Sequence, residues 1–165
     1  MITDIDGVWT DGGMYYDEHE NEIKKFNTSD SAGIILLNLA DIQVGIITGE
    51  QVKSVKRRTA KLGIDIAYFG VKNKLDLLKR ISKEKQIPLS EIAYIGDDVP
   101  DVPAMQVCGL SACPADAKDY VSRHATWIMN KKGGQGVFRE FAERILQEMN
   151  LLDVAINKWI QQISQ

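Results

Sequence analysis

The chain has 165 residues, of which 44% are hydrophobic and 26% charged, and its formal net charge is −3. This composition is ordinary for a globular protein, and the charge balance gives no reason to expect binding to nucleic acid or to an anionic membrane. Two cysteines are too few for a disulfide framework, and no apolar run approaches the length of a membrane span. Because the first residues also lack a signal-peptide pattern, we expect a cytoplasmic protein that forms one domain over residues 1–165.

Short apolar segments alternate with amphipathic segments along most of the chain. Residues 8–26 are typical of extended chain with two turns, and residues 27–31 offer N-caps for a helix through residues 34–39. Later strands are predicted at residues 42–47, 64–69, 92–95, 109–112 and 126–129. Because helical patterns separate these strands, the sequence predicts an α/β, Rossmann-like three-layer sandwich with a mostly parallel central sheet and a β-hairpin after strand 1.

The last part of the chain, residues 131–165, is predicted to be a Gly-rich loop followed by a helical tail. Lys131 and Lys132 precede three glycines within residues 133–136, which is typical of a flexible basic loop. Apolar residues then recur at helical spacing through the tail, and such stripes more often form core or subunit contacts than ligand sites.

The opening stretch carries two aspartates, Asp4 and Asp6, at the end of a short apolar run. Residues two apart on a β-strand face the same side, and Gly7 allows the backbone to turn directly afterwards. Paired carboxylates at a strand end suit catalysis, in which one attacks or holds a metal while the other transfers a proton. A solvated turn explains the same residues equally well. A calcium loop fits less well, because Val8 and Tyr15 occupy positions that need oxygen ligands.

Polar side chains follow four of the predicted strands at the point where each strand ends. In chain order they are Asp4 and Asp6, then Thr48-Gly49-Glu50, then Lys74, then Gly96-Asp97-Asp98 and Asp101. Parallel strands bring their carboxyl ends to one edge of a sheet, so we expect these residues to meet there. Lys74 opposes the helix macrodipole unless an anion such as phosphate binds beside it. Asp97 near Asp4 would be repulsive without a cation, and carboxylate oxygens suit Mg²⁺.

These residues resemble the four motifs of the haloacid dehalogenase superfamily of phosphohydrolases. The matching segments are Asp4-x-Asp6-Gly7-Val8-x-Thr10-Asp11, Thr48-Gly49, Lys74 and Gly96-Asp97-Asp98-x-x-Asp101, and the likeness runs nearly end to end. The resemblance implies a phosphatase in which Asp4 is the nucleophile and Asp6 the general acid and base. It also implies that Asp4, Asp6 and Asp97 hold Mg²⁺. Phosphate would then contact Thr48, Gly49 and Lys74, with Asp98 and Asp101 orienting the site from behind.

Further segments are similar to phosphatases of 2-keto-3-deoxy sugar acids. They are Asp11-Gly12, residues 26–34 and residues 133–140. Relatives that act on 3-deoxy-octulosonate 8-phosphate usually carry Arg where this chain has Glu50. The resemblance therefore favours 2-keto-3-deoxy-nononate 9-phosphate as substrate, with the octulosonate ester as the alternative.

The same resemblance implies which residues meet the sugar acid. They are Asn27, Thr28, Ser29, Asp30, Ser31, Glu50, Arg58 and Lys61. Arg58 and Lys61 lie three positions apart on one predicted helical face, from which both could reach a carboxylate. A solvated basic face explains this pair of residues equally well.

Two readings without catalysis remain open. A phospho-acceptor receiver domain also combines acidic residues, Thr and Lys on a parallel sheet, but its acidic pair precedes the acceptor, whereas Asp4 comes first here. A descendant that binds sugar acids without turnover is disfavoured, because both Asp4 and Asp6 are present.

The spacing of the motifs leaves no room for a separate cap domain. Only 41 positions lie between Asp6 and Thr48, and 25 between Thr48 and Lys74. Residues 8–26 carry Trp9, Tyr15, Tyr16 and Phe26, more aromatic surface than an exposed ribbon should show. We therefore expect a homotetramer. The resemblance implies that this ribbon and the Gly-rich loop of neighbouring subunits cover the active site.

The first predicted strand is short. Only Met1-Ile2-Thr3 precede Asp4, whereas a strand usually spans about five or six residues. Either a short strand or a true start upstream of Met1 accounts for this.

Overall fold

The structure is a computed structural model that describes residues 1–164, and its strands fall into two sheets. In chain order the strands are β1 (Ile2–Thr3), β2 (Tyr15–Tyr16), β3 (Glu22–Ile23), β4 (Gly45–Ile47), β5 (Ile66–Tyr68), β6 (Ala93–Ile95), β7 (Leu110–Cys113) and β8 (Trp127–Ile128). β2 and β3 form an antiparallel hairpin. The others form one parallel sheet in the order β5-β4-β1-β6-β7-β8.

Helices connect the parallel strands. They are α1 (Ser29–Leu39), α2 (Lys53–Lys61), α3 (Lys74–Lys85), α4 (Val102–Met105), α5 (Asp119–Ser122), α6 (Val137–Glu148) and α7 (Leu152–Ile163). Short 3₁₀ turns precede β6 at Leu89–Glu91 and α4 at Val99–Asp101. Among the described residues, none of these helices is long and apolar enough to cross a membrane.

Alternation along the strands builds two cores, one on each face of the sheet. Ile46 and Ile95 pack into a cluster with α1, α2, α6 and α7, whereas their neighbours Ile47 and Tyr94 pack into a second cluster with α3, α4 and α5. Successive strand residues point to opposite faces, so strands that are apolar at every position need helices on both sides. The predicted three-layer α/β sandwich is confirmed.

The chain between β1 and β4 differs in detail from the prediction. The extended ribbon expected over residues 8–26 shortens to the β2–β3 hairpin, and only one isolated bridge, from Thr10 to Phe26, pairs its base. Trp9 is buried in its own subunit, where its ring lies 4.5 Å from that of Phe138. It is therefore wrong to count Trp9 as ribbon surface. Among the described residues, this segment contains the hairpin and α1 but no cap domain, as predicted.

The Gly-rich loop packs against the turn that follows β1. The amide of Gly134 donates to the carbonyl of Val8 at 2.9 Å. A Cβ at Gly133 would lie 2.1 Å from the Gly7 carbonyl oxygen, so backbone approaches backbone here and only glycine fits. These contacts hold the loop, predicted to be flexible and basic, against the candidate site of its own chain.

Candidate active site

Asp4 leaves the middle of the sheet at its carboxyl edge. β1 lies between β4 and β6, and the Asp4 amide extends the ladder by donating to the Ile95 carbonyl at 3.0 Å. The side chain of Asp4 is buried at this edge. Ligands of open parallel sheets bind at this position, where neighbouring strands diverge.

A tight turn places Asp6 beside Asp4. The amides of Val8, Trp9 and Thr10 all donate to the Ile5 carbonyl, so the chain has already left the strand at Asp6. The expectation that strand alternation aligns Asp4 with Asp6 is therefore wrong, although both line the same cleft. Gly7 has a φ of +77°, and a Cβ there would lie 1.9 Å from an Asp97 carboxylate oxygen. Glycine is required because the turn meets Asp97 so closely.

Lys74 links the nucleophile candidate to a buried carboxylate. Its Nζ lies 3.0 Å from Asp4 Oδ1 and 2.7 Å from Asp101 Oδ1. Burial opposes the charge on Lys74, but the two carboxylates outweigh it and raise the lysine pKa. The two carboxylates therefore offset the unfavourable interaction of the Lys74 charge with the dipole of α3. A bound phosphate is not needed to account for a lysine at this position.

Asp101 is the fully buried centre of this network. Besides the lysine, it accepts a hydrogen bond from the Tyr94 hydroxyl at 2.7 Å and from the amides of Asp97 and Asp98 at 3.3 Å. Asp98 caps the 3₁₀ turn by accepting from the Val99 amide at 2.8 Å. Both aspartates therefore shape the loop that carries Asp97, and their expected role in orienting the site stays a prediction.

Asp97 and Asp4 form an acidic cluster that calls for a cation. Carboxylate oxygens of Asp4, Asp97 and Asp101 lie within 4.8 Å of one another. Burial, followed by charge repulsion, raises the pKa of Asp4 to about 7 and that of Asp97 to about 8. Asp97 Oδ1 and Asp6 Oδ2 are buried without hydrogen-bond partners among the described residues. Carboxylate oxygens are hard ligands, and the carboxylates of Asp4 and Asp97 fit Mg²⁺.

Thr48 and Gly49 also line the cleft. Thr48 is buried after β4, and its Oγ1 accepts from the Glu50 amide at 3.3 Å. Glu50 is exposed and lines the mouth of the same cleft, which encloses about 560 Å³. The structure therefore brings together Asp4, Asp6, Thr48, Gly49, Glu50, Lys74, Asp97, Asp98 and Asp101.

The other predicted sugar-contacting residues lie outside this lining. Arg58 donates to Ser31 Oγ at 2.7 Å and to the Asn27 carbonyl at 3.4 Å, so it joins α2 to the start of α1. Asp30 is fully buried and accepts from the Arg139 amide at 3.0 Å, which makes it a cap for α6. Its predicted contact with the sugar acid is wrong, because no face of Asp30 is accessible.

The four remaining predicted residues, Asn27, Thr28, Ser29 and Lys61, also lie outside the cleft lining. Asn27 Oδ1 accepts from the Ser29 amide, and Thr28 occupies the N-cap position of α1. Lys61 is exposed in the last turn of α2. Within one subunit, the structure does not bring this group to the phosphate end of the cleft.

Two residues that contact the aspartates of the site were missed by the sequence reasoning. Lys24 is buried, and its Nζ lies 2.9 Å from Asp6 Oδ1 and 2.7 Å from Glu22 Oε1. Tyr94 supports Asp101 from inside β6. A tyrosine in a wholly apolar strand was a readable signal, since its hydroxyl needs a buried partner. Lys24 gave no signal, because its partner Asp6 is 18 positions away.

A cleft of this kind, at the carboxyl edge of a parallel sheet and lined by aspartates, a threonine and a buried lysine, defines a phosphoryl-transfer site. The family model for haloacid dehalogenase-like hydrolases matches residues 70–141. The 3-deoxy-D-manno-octulosonate 8-phosphate phosphatase KdsC of Haemophilus influenzae is 40% identical over 147 residues, which cover 89% of this chain and 82% of that protein. The chain belongs to the haloacid dehalogenase-like hydrolase family.

Solved structures extend the similarity. A 3-deoxy-D-manno-octulosonate 8-phosphate phosphatase from Moraxella catarrhalis, in complex with magnesium ion, phosphate ion and a KDO molecule, superposes with a TM-score of 0.92 at 34% identity, covering 96% of this chain and 91% of that one. The cobalt-bound Haemophilus influenzae enzyme has a TM-score of 0.88 at 39% identity, covering 93% and 90%. The predicted family and enzyme class, phosphatase, are confirmed, and the predicted Mg²⁺ agrees with the acidic cluster and with the Moraxella structure.

Proposed function

We propose that this chain is a Mg²⁺-dependent phosphomonoesterase that removes phosphate from a 2-keto-3-deoxy sugar acid through an aspartyl-phosphate intermediate. The observation that carries the proposal is the meeting of Asp4, Asp97 and Lys74 at the end of the central strand. Phosphoryl transfer depends on in-line positioning and on neutralisation of the phosphoryl charge. Here Lys74 and a cation bound by Asp4 and Asp97 would provide the positive charge.

The metal would be held by the carboxylates of Asp4 and Asp97 and by the main-chain carbonyl of Asp6. When bound, Mg²⁺ neutralises phosphoryl charge and aligns the phosphorus with the attacking oxygen. Asp101 is close enough to be counted with the ligands, but its oxygens already accept from Lys74, Tyr94 and two amides. Its role is therefore to position Lys74 and the Asp97 loop.

The two aspartates of the opening motif have different roles in the reaction. A carboxylate oxygen of Asp4 attacks phosphorus, while Asp6 protonates the departing sugar oxygen and later takes a proton from the attacking water. Lys74, Thr48 Oγ1 and the amide of Gly49 hold the phosphoryl oxygens, because they are donors that line the same cleft as Asp4.

The first candidate substrate is 3-deoxy-octulosonate 8-phosphate. Relatives that match most of this chain are named as phosphatases of that ester. Their names favour it over the nine-carbon substrate expected from the sequence. The fold and the site residues shared with these relatives support the same substrate class, a phosphorylated sugar acid, for this chain. The residues around Asp4 act on the phosphate group, whatever the length of the sugar.

A second candidate, 2-keto-3-deoxy-nononate 9-phosphate, rests on Glu50. Its exposed carboxylate at the mouth of the cleft accepts hydrogen bonds from sugar hydroxyls but repels a substrate carboxylate. A longer sugar acid would place its acid group further from this position. Arg58 and Lys61, proposed earlier as carboxylate ligands, are not among the residues that line the cleft.

The proposal is tested with Asp4→Asn. We expect this variant to lose hydrolysis of both p-nitrophenyl phosphate and 3-deoxy-octulosonate 8-phosphate in the presence of Mg²⁺, because an amide cannot form the aspartyl phosphate. The wild type should lose the same activity in EDTA and regain it with Mg²⁺. Asp65→Asn, an equivalent change at an exposed aspartate outside the cleft, is the matched control. Turnover by a clean Asp4→Asn preparation would overturn the assignment of the nucleophile.

A further inference from the structure

Lys24, the residue directly after β3, reaches Asp6 in the turn that follows β1 of its own chain. The side chain of Lys24 is only 3% exposed, whereas that of its neighbour Lys25 is 70% exposed. A buried lysine is expensive unless carboxylates pair with it. Lys24 has two such partners, Glu22 at 2.7 Å on the same hairpin and Asp6 at 2.9 Å in the turn after β1.

The contacts of Asp6 are uneven between its two oxygens. Oδ1 lies 2.9 Å from Lys24 Nζ and accepts the Thr10 hydroxyl at 3.2 Å. The Gly12 amide donates to the same Thr10 oxygen at 3.3 Å, which turns the hydroxyl proton toward Asp6. Oδ2 is buried and has no hydrogen-bond partner among the described residues.

From this asymmetry we infer that Lys24 is a positioning residue for the general acid. Lys24 and Thr10 occupy Oδ1 as donors, so a proton carried by Asp6 resides on Oδ2, the oxygen left free. The inference rests on the proposed function, since it specifies how Asp6 performs its part. It also gives the hairpin a catalytic role in its own chain.

The step that depends on this arrangement is the departure of the sugar. A carboxylate oxygen of Asp4 forms a new bond to phosphorus while the bond from phosphorus to the ester oxygen breaks. The electron pair of that bond leaves with the ester oxygen, which takes the proton from Asp6 Oδ2. Loss of Lys24 frees the Asp6 side chain to rotate, and proton delivery suffers most where the leaving oxygen is a strong base.

The test compares two substrates of similar shape and different leaving-group basicity, phenyl phosphate and p-nitrophenyl phosphate. The value of kcat/KM reports the steps through release of the first product, and neither substrate contains a sugar. In Lys24→Met we expect kcat/KM for phenyl phosphate to fall at least about tenfold more than that for p-nitrophenyl phosphate, given that general acid catalysis contributes roughly 10²–10⁴-fold. Lys24→Arg, which retains a cation, should restore most of the ratio.

The matched control is Lys25→Met, the same substitution one position away, which should leave the ratio within about twofold, as expected for an exposed lysine whose ion pair contributes little. If Lys24→Met fails to fold, the double variant Glu22→Gln/Lys24→Met removes the carboxylate left without a partner, and it should show the same change of ratio. Equal losses for the two substrates in a folded Lys24 variant would overturn the inference. Absence of Mg²⁺-dependent hydrolysis in the wild type would overturn the proposed function instead.

Discussion

At the scale of single residues, the most informative feature is the pair Asp4 and Asp97, whose ionised carboxylates are destabilised in the folded protein. Burial raises the pKa of Asp4 to about 7 and that of Asp97 to about 8, and repulsion adds to it, from Asp101 on Asp4 and from Asp4 and Asp101 on Asp97. Lys74 opposes this effect without cancelling it, because Asp101 shares its ammonium group. The protein therefore carries an electrostatic cost at its active site, which a divalent cation would relieve.

This cost predicts a pH dependence of stability for the metal-free protein. Both groups have folded pKa values above the ordinary value of 3.8, so between about pH 4 and pH 8 the folded state binds more protons than the unfolded state. Their contribution to the free energy of unfolding accordingly falls as pH rises through this range. We expect the Tm in EDTA to be lower at pH 8 than at pH 6, and Mg²⁺ to raise it more at pH 8.

Substituting Asp97 separates the contribution of the acidic cluster from the pH dependence of Tm that arises elsewhere in the protein. Asp97→Asn should flatten the dependence of Tm on pH in EDTA, whereas Asp65→Asn, at an exposed position, should leave it unchanged. A Tm in EDTA that rises from pH 6 to pH 8 by the same amount in wild type and Asp97→Asn would contradict the electrostatic account.

Glu50 supplies a second residue-scale prediction. We expect Glu50→Arg to raise kcat/KM for 3-deoxy-octulosonate 8-phosphate relative to 2-keto-3-deoxy-nononate 9-phosphate by at least about tenfold, or roughly 1.4 kcal/mol. The reason is that a guanidinium at the mouth of the cleft attracts the carboxylate of the shorter acid. Glu148→Arg, the same change at an exposed site on α6, is the control. An unchanged ratio would show that Glu50 does not read the length of the sugar acid.

At the scale of secondary structure, Asp30 joins two helices that are distant in sequence. It lies in the first turn of α1 and accepts the amide of Arg139 in the first turn of α6. Gly33 allows the same two helices to approach, since a Cβ there would lie 3.1 Å from Arg139 Cα. The start of α6 is thereby fixed, and with it the Gly-rich loop that packs on the turn after β1.

This contact predicts the stability of Asp30 variants. Removing a helix cap costs roughly 1–2 kcal/mol, and we expect that loss of unfolding free energy for Asp30→Ala in urea denaturation. Asp30→Asn should cost less, because the amide oxygen can still accept from Arg139. Asp153→Ala, at an exposed acidic residue in the first turn of α7, should cost only about 0.3 kcal/mol. Equal losses for Asp30→Ala and Asp153→Ala would argue against the cap.

At the scale of the whole molecule, the hairpin leaves apolar surface uncovered. Met14, Tyr15, Tyr16 and Ile23 are each about half exposed in the isolated chain, at 56%, 47%, 62% and 50%. Such a patch on a hairpin beside an active site is typical of a subunit contact. The proposed homotetramer, with neighbouring subunits covering the cleft, rests on this surface and on the absence of a cap domain from the described residues.

The tetramer is tested by light scattering at micromolar concentration. We expect the wild type to have four times the mass of one chain and Tyr16→Asp to shift to smaller species with lower activity. Tyr120→Asp, at an exposed tyrosine on α5, should leave the mass unchanged. A fully active wild-type monomer would contradict the proposal. The cytoplasmic location and the single domain over residues 1–165 remain predictions.

The residues that follow each strand could be predicted from the sequence because parallel topology converts chain order into proximity. Asp4, Thr48, Lys74 and Asp97 meet for that reason alone, and the apolar strands between them specify helices on both faces. Local patterns carry this information, so the sequence was sufficient to predict the fold class and the gathering of these residues at one edge of the sheet.

Other features depended on contacts between segments far apart in the chain, and no local pattern records such contacts. The pairing of Lys24 with Asp6, the capping of α6 by Asp30 and the burial of Trp9 against Phe138 all belong to this group. A polar or aromatic side chain looks the same in sequence whether it faces solvent, a ligand or a buried partner. Only the tertiary structure determines which of these it meets, because burial and pairing are set by the packing of the whole chain.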